Sequence, residues 1–256
     1  MPVDLRRTSR EFLRDVAGPA RTPRLNLQLA SVLALTAGVL NSVGFVAVSV
    51  YTSHMTGITA SIADHLVLGG WSLVGVGGLA FVSFVAGAMS CAVLFNWGRR
   101  RGLVSRYANV LLLEASLILA FGLLAEALSW GHRNLVFIIV LCFTMGLQNA
   151  IITKISAAQI RTTHVTGMVT DIGIELGKFA YRERTPGLDP VVADGSKLGM
   201  LTLLVGLFFL GGVAGASGYL EFGFPVVVPF AVLLLLVAGA PLAADVRRLR
   251  SIPLRG

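Results

Sequence analysis

Two short stretches carry the residues best suited to chemistry. They are Ser53-His54-Met55-Thr56-Gly57 and Thr163-His164-Val165-Thr166-Gly167, with His54 and His164 110 positions apart. A histidine can donate, accept, or titrate near neutral pH. Threonine is a helix N-cap type, and glycine lets a ligand come close to the backbone. A helix start carries unpaired N–H groups and a partial positive charge. Two such starts facing each other would suit an anion or a carboxylate-bearing solute. The predicted solute site is therefore His54, Thr56, Gly57, His164, Thr166 and Gly167. The plainer alternative makes the Thr-Gly units simple helix starts and the histidines hydrogen-bonded interface groups.

Other polar residues stand inside apolar runs. Asn41 and Asn149, with Gln148 beside the latter, either bond between helices or line a polar path at the same site. Glu114 lies deep in an apolar segment, and Asp171 heads an Asp171, Glu175, Lys178 stripe. Glu114 and Asp171 are the candidates for a proton or cation site. The stripe reads either as a solvated face with one helical ion pair or as a gate touching Arg161. Asp64 and His65 alone are weak grounds for a metal, and no metal or cofactor is expected. The chain has no Gly-x-Ser-x-Gly, His-Glu-x-x-His, P-loop or dinucleotide glycine pattern, so no enzyme is expected.

The elements that must position these residues follow from composition. Of 256 residues, 55% are hydrophobic and 13% charged, with mean hydropathy +0.80. A soluble domain carries about 25% charge. Apolar runs of about 20 residues cross a ~30 Å hydrocarbon core. Six spans are predicted, at about Leu27–Tyr51, Trp71–Trp97, Tyr107–Leu128, Asn134–Thr153, Leu198–Leu220 and Phe224–Ala243. Trp71, Trp97, Tyr107, Trp130 and Tyr219 fall at their ends, where aromatic belts belong. Cys91 and Cys142 lie inside apolar runs and read as packing residues.

The net charge of +8 and pI of about 10.3 would also fit a nucleic-acid binder. Placement excludes that. With six spans, 20 of the 21 Lys and Arg fall on one side and Arg133 alone on the other. The positive-inside rule then puts both termini in the cytoplasm of a bacterial inner-membrane protein. The arginines before Leu27 have no apolar run directly after them that reads as a cleavable leader; they read either as a surface helix on anionic lipid or as a disordered basic tail.

Three spans per half turn the second half upside down. Met55, Ile58, Ile62 and Leu66 recur as Val165, Met168, Ile172 and Leu176, one helix face in each half. Gly38-x-x-Asn41 matches Gly146-x-x-Asn149, and Phe84-x-x-Gly87 matches Phe209-x-x-Gly212. Ser83-x-x-x-Gly87 and Gly211-x-x-x-Gly215 read as close helix contacts. The expected architecture is an all-α polytopic membrane protein of two inverted three-helix repeats, each with a short broken or re-entrant helix after His-x-Thr-Gly. The parts are a basic tail (1–26), a first repeat (27–133), a second (134–244) and a second basic tail (245–256).

The signatures Gly38-Val39-Leu40-Asn41-Ser42-Val43-Gly44-Phe45, Ser53-His54-Met55-Thr56-Gly57, Gly146-Leu147-Gln148-Asn149-Ala150 and Arg161-Thr162-Thr163-His164-Val165-Thr166-Gly167 with Asp171-Ile172-Gly173 resemble one family. It is the YoaK-like family of bacterial membrane proteins, a domain of unknown function, and the similarity runs over roughly residues 27 to 245. The resemblance implies a six-helix inner-membrane protein and no substrate. Family members often carry an acid where this chain has Asn41.

The functional expectation is a transporter or channel-like protein for a small, anionic solute, in the lipid bilayer and compatible with a homo-oligomer. A non-transporting sensor or assembly protein is the alternative. An intramembrane enzyme would need His164, Asp171 and Glu175 in one cavity.

Overall fold

The computed structural model describes residues 23–103, 105–128, 131, 133–156, 161–181 and 189–250. The arginines at 6 to 21, Trp130, Arg182, Arg184 and Arg255 lie outside the described residues. The described chain is helical: α1 (Pro23–Val48), α2 (Met55–Leu68), α3 (Trp71–Arg100), α4 (Ala108–Leu124), α5 (Arg133–Ile155), α6 (Val165–Ala180), α7 (Gly195–Phe222), a 3₁₀ turn (Phe224–Val227) and α8 (Val228–Arg250).

Five segments are long and apolar enough to cross a membrane: Arg24–Val48, Trp71–Arg100, Arg133–Ile155, Gly195–Phe222 and Phe224–Ala243. The predicted third span falls short of that length. Its helix α4 has 17 residues, about 25 Å at 1.5 Å per residue. Past Leu124 the chain tightens into turns, with the Ala127 N–H donating to the Leu124 carbonyl at 3.1 Å and the Leu128 N–H to that of Ala125 at 3.3 Å. Such turns make poorer hydrogen bonds and run only a few residues.

Three helix pairs build the molecule. α1 packs on α7, α3 on α5, and α4 on α8. α1 and α5 also touch and are mostly buried. α3 and α7 are peripheral and expose Phe81, Val82, Met89 and Val93, and Leu203, Phe209, Leu210 and Val213. Apolar surface of that extent belongs against lipid.

Glycines set the closest approaches. A methyl on Gly38 would overlap the Phe208 carbonyl, and one on Gly146 would overlap that of Phe84. Likewise Gly87 abuts the Phe143 carbonyl and Gly211 that of Leu35. The same two contacts thus occur twice. From α1 to α5 the offset is 108, as in Gly38 to Gly146, and from α3 to α7 it is 124, as in Phe84 to Phe208. The expected partner of Phe84 was Phe209. The doublets Phe208-Phe209 and Gly211-Gly212 leave both registers open in sequence. One residue along a helix is a turn of about 100°, and the Phe208 register faces α1. Gly215 also abuts α1, at the backbone of Val39, so the small-residue patterns do mark close helix contacts.

The short helices α2 and α6 pack on the peripheral helices, α2 on α3 and α6 on α7. Ile62 and Ile58 lie against Gly77 in the first half of α3. α2 has 14 residues, about 21 Å, so it covers roughly half the length of α3. Cys91 and Cys142 are buried and unpaired with each other; Cys142 packs with Ala80 and Ile138.

Candidate functional site

The site is built from the ends of α1 and α5. α1 stops at Val48, where Ser49 takes a positive φ of 57° and turns the chain. The chain then folds back along α1. Seven residues before the helix end, Asn41 Oδ1 accepts the Ser53 N–H at 3.1 Å and the Ser53 hydroxyl at 3.0 Å. The second half repeats this. Asn149, six residues before the end of α5, accepts the Thr163 hydroxyl, and its Nδ2 donates to the Met145 carbonyl at 2.8 Å. The neighbouring Gln148 donates to the Leu33 carbonyl at 2.7 Å and ties α5 to α1. The bonds of the two asparagines therefore run to the loop that follows each helix and, for Asn149, to its own helix, while the bond between helices belongs to Gln148; both asparagines line the cavity described next.

A cavity of about 600 Å³ joins the two halves. Asn41, His54, Thr56, Asn149, His164 and Thr166 line it, together with Tyr51, Ser53, Met55, Phe84, Thr153, Arg161, Thr163, Val165 and Phe208. Phe84 is the 14th of the 30 residues of α3, and Phe208 the 14th of the 28 of α7. The cavity thus sits at mid-length of both peripheral helices. α2 and α6 begin there.

Details of the helix starts differ from the sequence expectation. The N-caps are His54 and His164, not Thr56 and Thr166. The helices begin two residues earlier than a threonine cap requires, at Met55 and Val165, which places both threonines in the first turn. Neither histidine side chain caps its helix, so the first N–H groups stay open to a ligand. Gly57 and Gly167 do not line the cavity. A methyl on Gly57 would overlap the His54 ring, and one on Gly167 would lie 2.8 Å from His164 Nδ1. These glycines make room for a histidine ring, and not for a ligand.

Charge enters from one side. Arg161 Nη1 lies 2.8 Å from His164 Nδ1. A guanidinium only donates, so Nδ1 accepts and the ring proton belongs on Nε2. Glu114 and Asp171 are not brought to the cavity. Glu114 is fully buried in α4, with neither carboxyl oxygen hydrogen-bonded. Asp171 pairs with Lys197 of α7 at 3.4 Å. Glu175 pairs with Lys178 at 3.0 Å and lies 3.8 Å from Lys197. It also accepts the Asp194 N–H at 2.8 Å. The Asp194 N–H first, then Lys178, holds the Glu175 carboxyl below its usual value. The stripe thus clamps α6 to the start of α7, and Arg161 bonds His164 and not Asp171.

Tyr51, Arg161, Phe84 and Phe208 were missed as site residues. Tyr51 and Arg161 each stand three positions before a motif histidine. Reading the two halves against each other a little further upstream would have found them. Thr52 and Thr162, the next residues, are a matching pair of fully buried threonines whose hydroxyls lack a partner.

Fold and cavity define a multi-pass helical membrane protein with a polar site at the meeting of its two halves. The family described as "Protein of unknown function (DUF1275)" matches residues 29–240. The chain belongs to that family, of which YoaK is a member. No curated protein and no solved structure matches the chain.

Proposed function

We propose that this protein carries a small anionic solute across the bacterial inner membrane, binding it between the starts of α2 and α6. One observation carries the reading: one cavity is lined by the histidine and threonine of both His-x-Thr-Gly units, and Arg161 is the formal charge in its wall. No carboxylate is among its described lining residues. An anion would meet a guanidinium, two imidazoles, two threonine hydroxyls and two helix N-termini.

The halves are inverted repeats, and the sixth span is α4 extended by the turns to Leu128. Gly38 on Phe208 and Gly146 on Phe84 support the repeat, because a two-fold axis in the membrane plane exchanges those contacts. α2 and α6 are re-entrant half-helices, each running from the cavity to opposite surfaces. Irregular backbone at that depth is tolerated where it lines a polar cavity. Both termini are cytoplasmic, on the side where 20 of the 21 basic residues gather.

The test is solute flux into liposomes holding the purified protein, screened over small organic and inorganic anions. Flux is expected in the parent and lost in His54→Ala/His164→Ala. Unchanged flux in the double variant would sink the assigned site.

A further inference from the structure

Where both members of a pair line the cavity, its walls match in kind across the two halves at every pair but one; Thr153 lines it from the second half alone. His54 and its counterpart His164, Thr56 and its counterpart Thr166, and Asn41 and its counterpart Asn149 all line it. The exception is Tyr51, whose counterpart at the offset of 110 is Arg161. One side of the cavity is therefore aromatic and the other cationic.

The aromatic side is a stacked pair of rings. Tyr51 stacks on Phe45 with ring centroids 4.3 Å apart and planes at 6°. Phe45 covers one face of Tyr51 and holds the ring where it lines the cavity. At the position matching Phe45, offset 108, the second half has Thr153, so no second stack forms there. Phe84 and Phe208 add two further rings to the lining. Stacked or edge-on rings favour flat apolar groups.

The cationic side is forked. Arg161 uses one N–H on His164, and a guanidinium has five, arranged to grip a carboxylate with two. A single arginine answers a single negative charge. The volume of about 600 Å³ falls in the range of sites for organic ligands, roughly 300–1,000 Å³, and far exceeds the need of a bare inorganic ion.

We propose that the site selects an organic monoanion with a planar apolar body, its carboxylate on Arg161 and its ring against Tyr51. This rests on the cavity being the anion site proposed above and narrows it to one ligand class. The pseudo-symmetric groups supply the shared polar lining, and the one mismatched pair supplies the ligand's polarity and direction.

Calorimetric titration of the full chain in lipid nanodiscs tests this with four probes: benzoate, benzamide, cyclohexanecarboxylate and acetate. Benzoate is expected to bind roughly 10- to 100-fold more tightly than benzamide, the range of a charge-assisted hydrogen bond. Arg161→Gln should bring benzoate to the level of benzamide. Arg161→Lys keeps the charge without the fork, should retain a reduced preference, and serves where the glutamine variant does not elute as the parent does. Tyr51→Leu should erase the preference for benzoate over cyclohexanecarboxylate and keep that over benzamide. Equal binding of acetate and benzoate, or ratios unmoved by both substitutions, overturns the planar-monoanion class and leaves an anion carrier standing. Failure of every anion to bind the parent overturns both readings.

Discussion

Asn41 holds Ser53 by two hydrogen bonds to one oxygen, from the backbone N–H and from the hydroxyl. That oxygen fixes where the first helix start lies, because Ser53 precedes the N-cap His54. Asn41→Leu removes that acceptor and leaves a backbone donor without its partner, which costs about 1–3 kcal/mol. Asn41→Asp still offers an oxygen to both donors and should lose less. Unfolding in a denaturing detergent, followed by circular dichroism, gives the comparison. A leucine variant as stable as the parent would show that this bond does not hold the loop.

The glycine contacts make a sharper pair of expectations. Gly38→Ala and Gly146→Ala each drive a methyl into a carbonyl of a packed neighbour, that of Phe208 or Phe84. Backbone cannot yield as a flexible side chain can, so each should lose about 1–3 kcal/mol or more. The two losses should be similar, because the contacts are counterparts. Gly173→Ala and Gly177→Ala on α6 meet nothing within 4 Å. There the gain in helix propensity, about 0.5–1 kcal/mol, should dominate. Thermal midpoints of the four variants decide it. Equal effects in both groups would contradict the packing.

The Gly57 contact links packing to the site. A methyl there overlaps the His54 ring, so Gly57→Ala should turn the imidazole out of place. Solute flux should then fall about as far as in His54→Ala, and the double variant Gly57→Ala/His54→Ala should be no worse than either alone. Additive losses would mean that Gly57 meets the ligand itself.

Much of this is legible in the amino-acid sequence. Paired motifs give away both histidines and both threonines at an offset of 110 and both asparagines at 108, because like chemistry recurs at like spacing. Apolar length gives the long helices. What stayed hidden has physical causes. The Phe208 register was masked by doublets, since rotation about a helix axis is set by packing and not by residue type. Histidine as N-cap was masked because threonine is the commoner choice. The bond from Asn41 to Ser53 needs the chain reversal at Ser49, which no local pattern announces. Tyr51 and Arg161 were passed over because a motif search rewards likeness, and their meaning lies in their difference. α4 reads as a full span by hydropathy, but its helix ends before the predicted segment does.

Glu175 makes the clamp between α6 and α7 sensitive to pH. Its folded carboxyl titrates below the usual value because of the Asp194 N–H and Lys178. A carboxylate depressed in this way adds stability above its unfolded value of about 4.3, and that stability disappears as pH falls through the lower folded value. Glu175→Gln keeps one acceptor for the Asp194 N–H and loses both lysine partners. Its thermal midpoint should lie below that of the parent at pH 7, and the gap should close as pH drops below about 4. A gap that persists at acid pH would assign the effect to packing and not to charge.

Glu114 poses the last question, whether an acid is kept for stability or for work. It is fully buried with neither oxygen hydrogen-bonded. A buried polar group without partners costs about 1–3 kcal/mol. Leucine fills a similar volume without that cost, so Glu114→Leu should raise stability by a comparable amount. If the residue served only packing, flux would be unchanged or improved with it. A variant that is more stable and yet carries no solute would place Glu114 in the transport cycle, since function is the one reason left for retaining an unpartnered acid at that depth. A variant less stable than the parent would instead mean that the carboxyl has a partner within the fold.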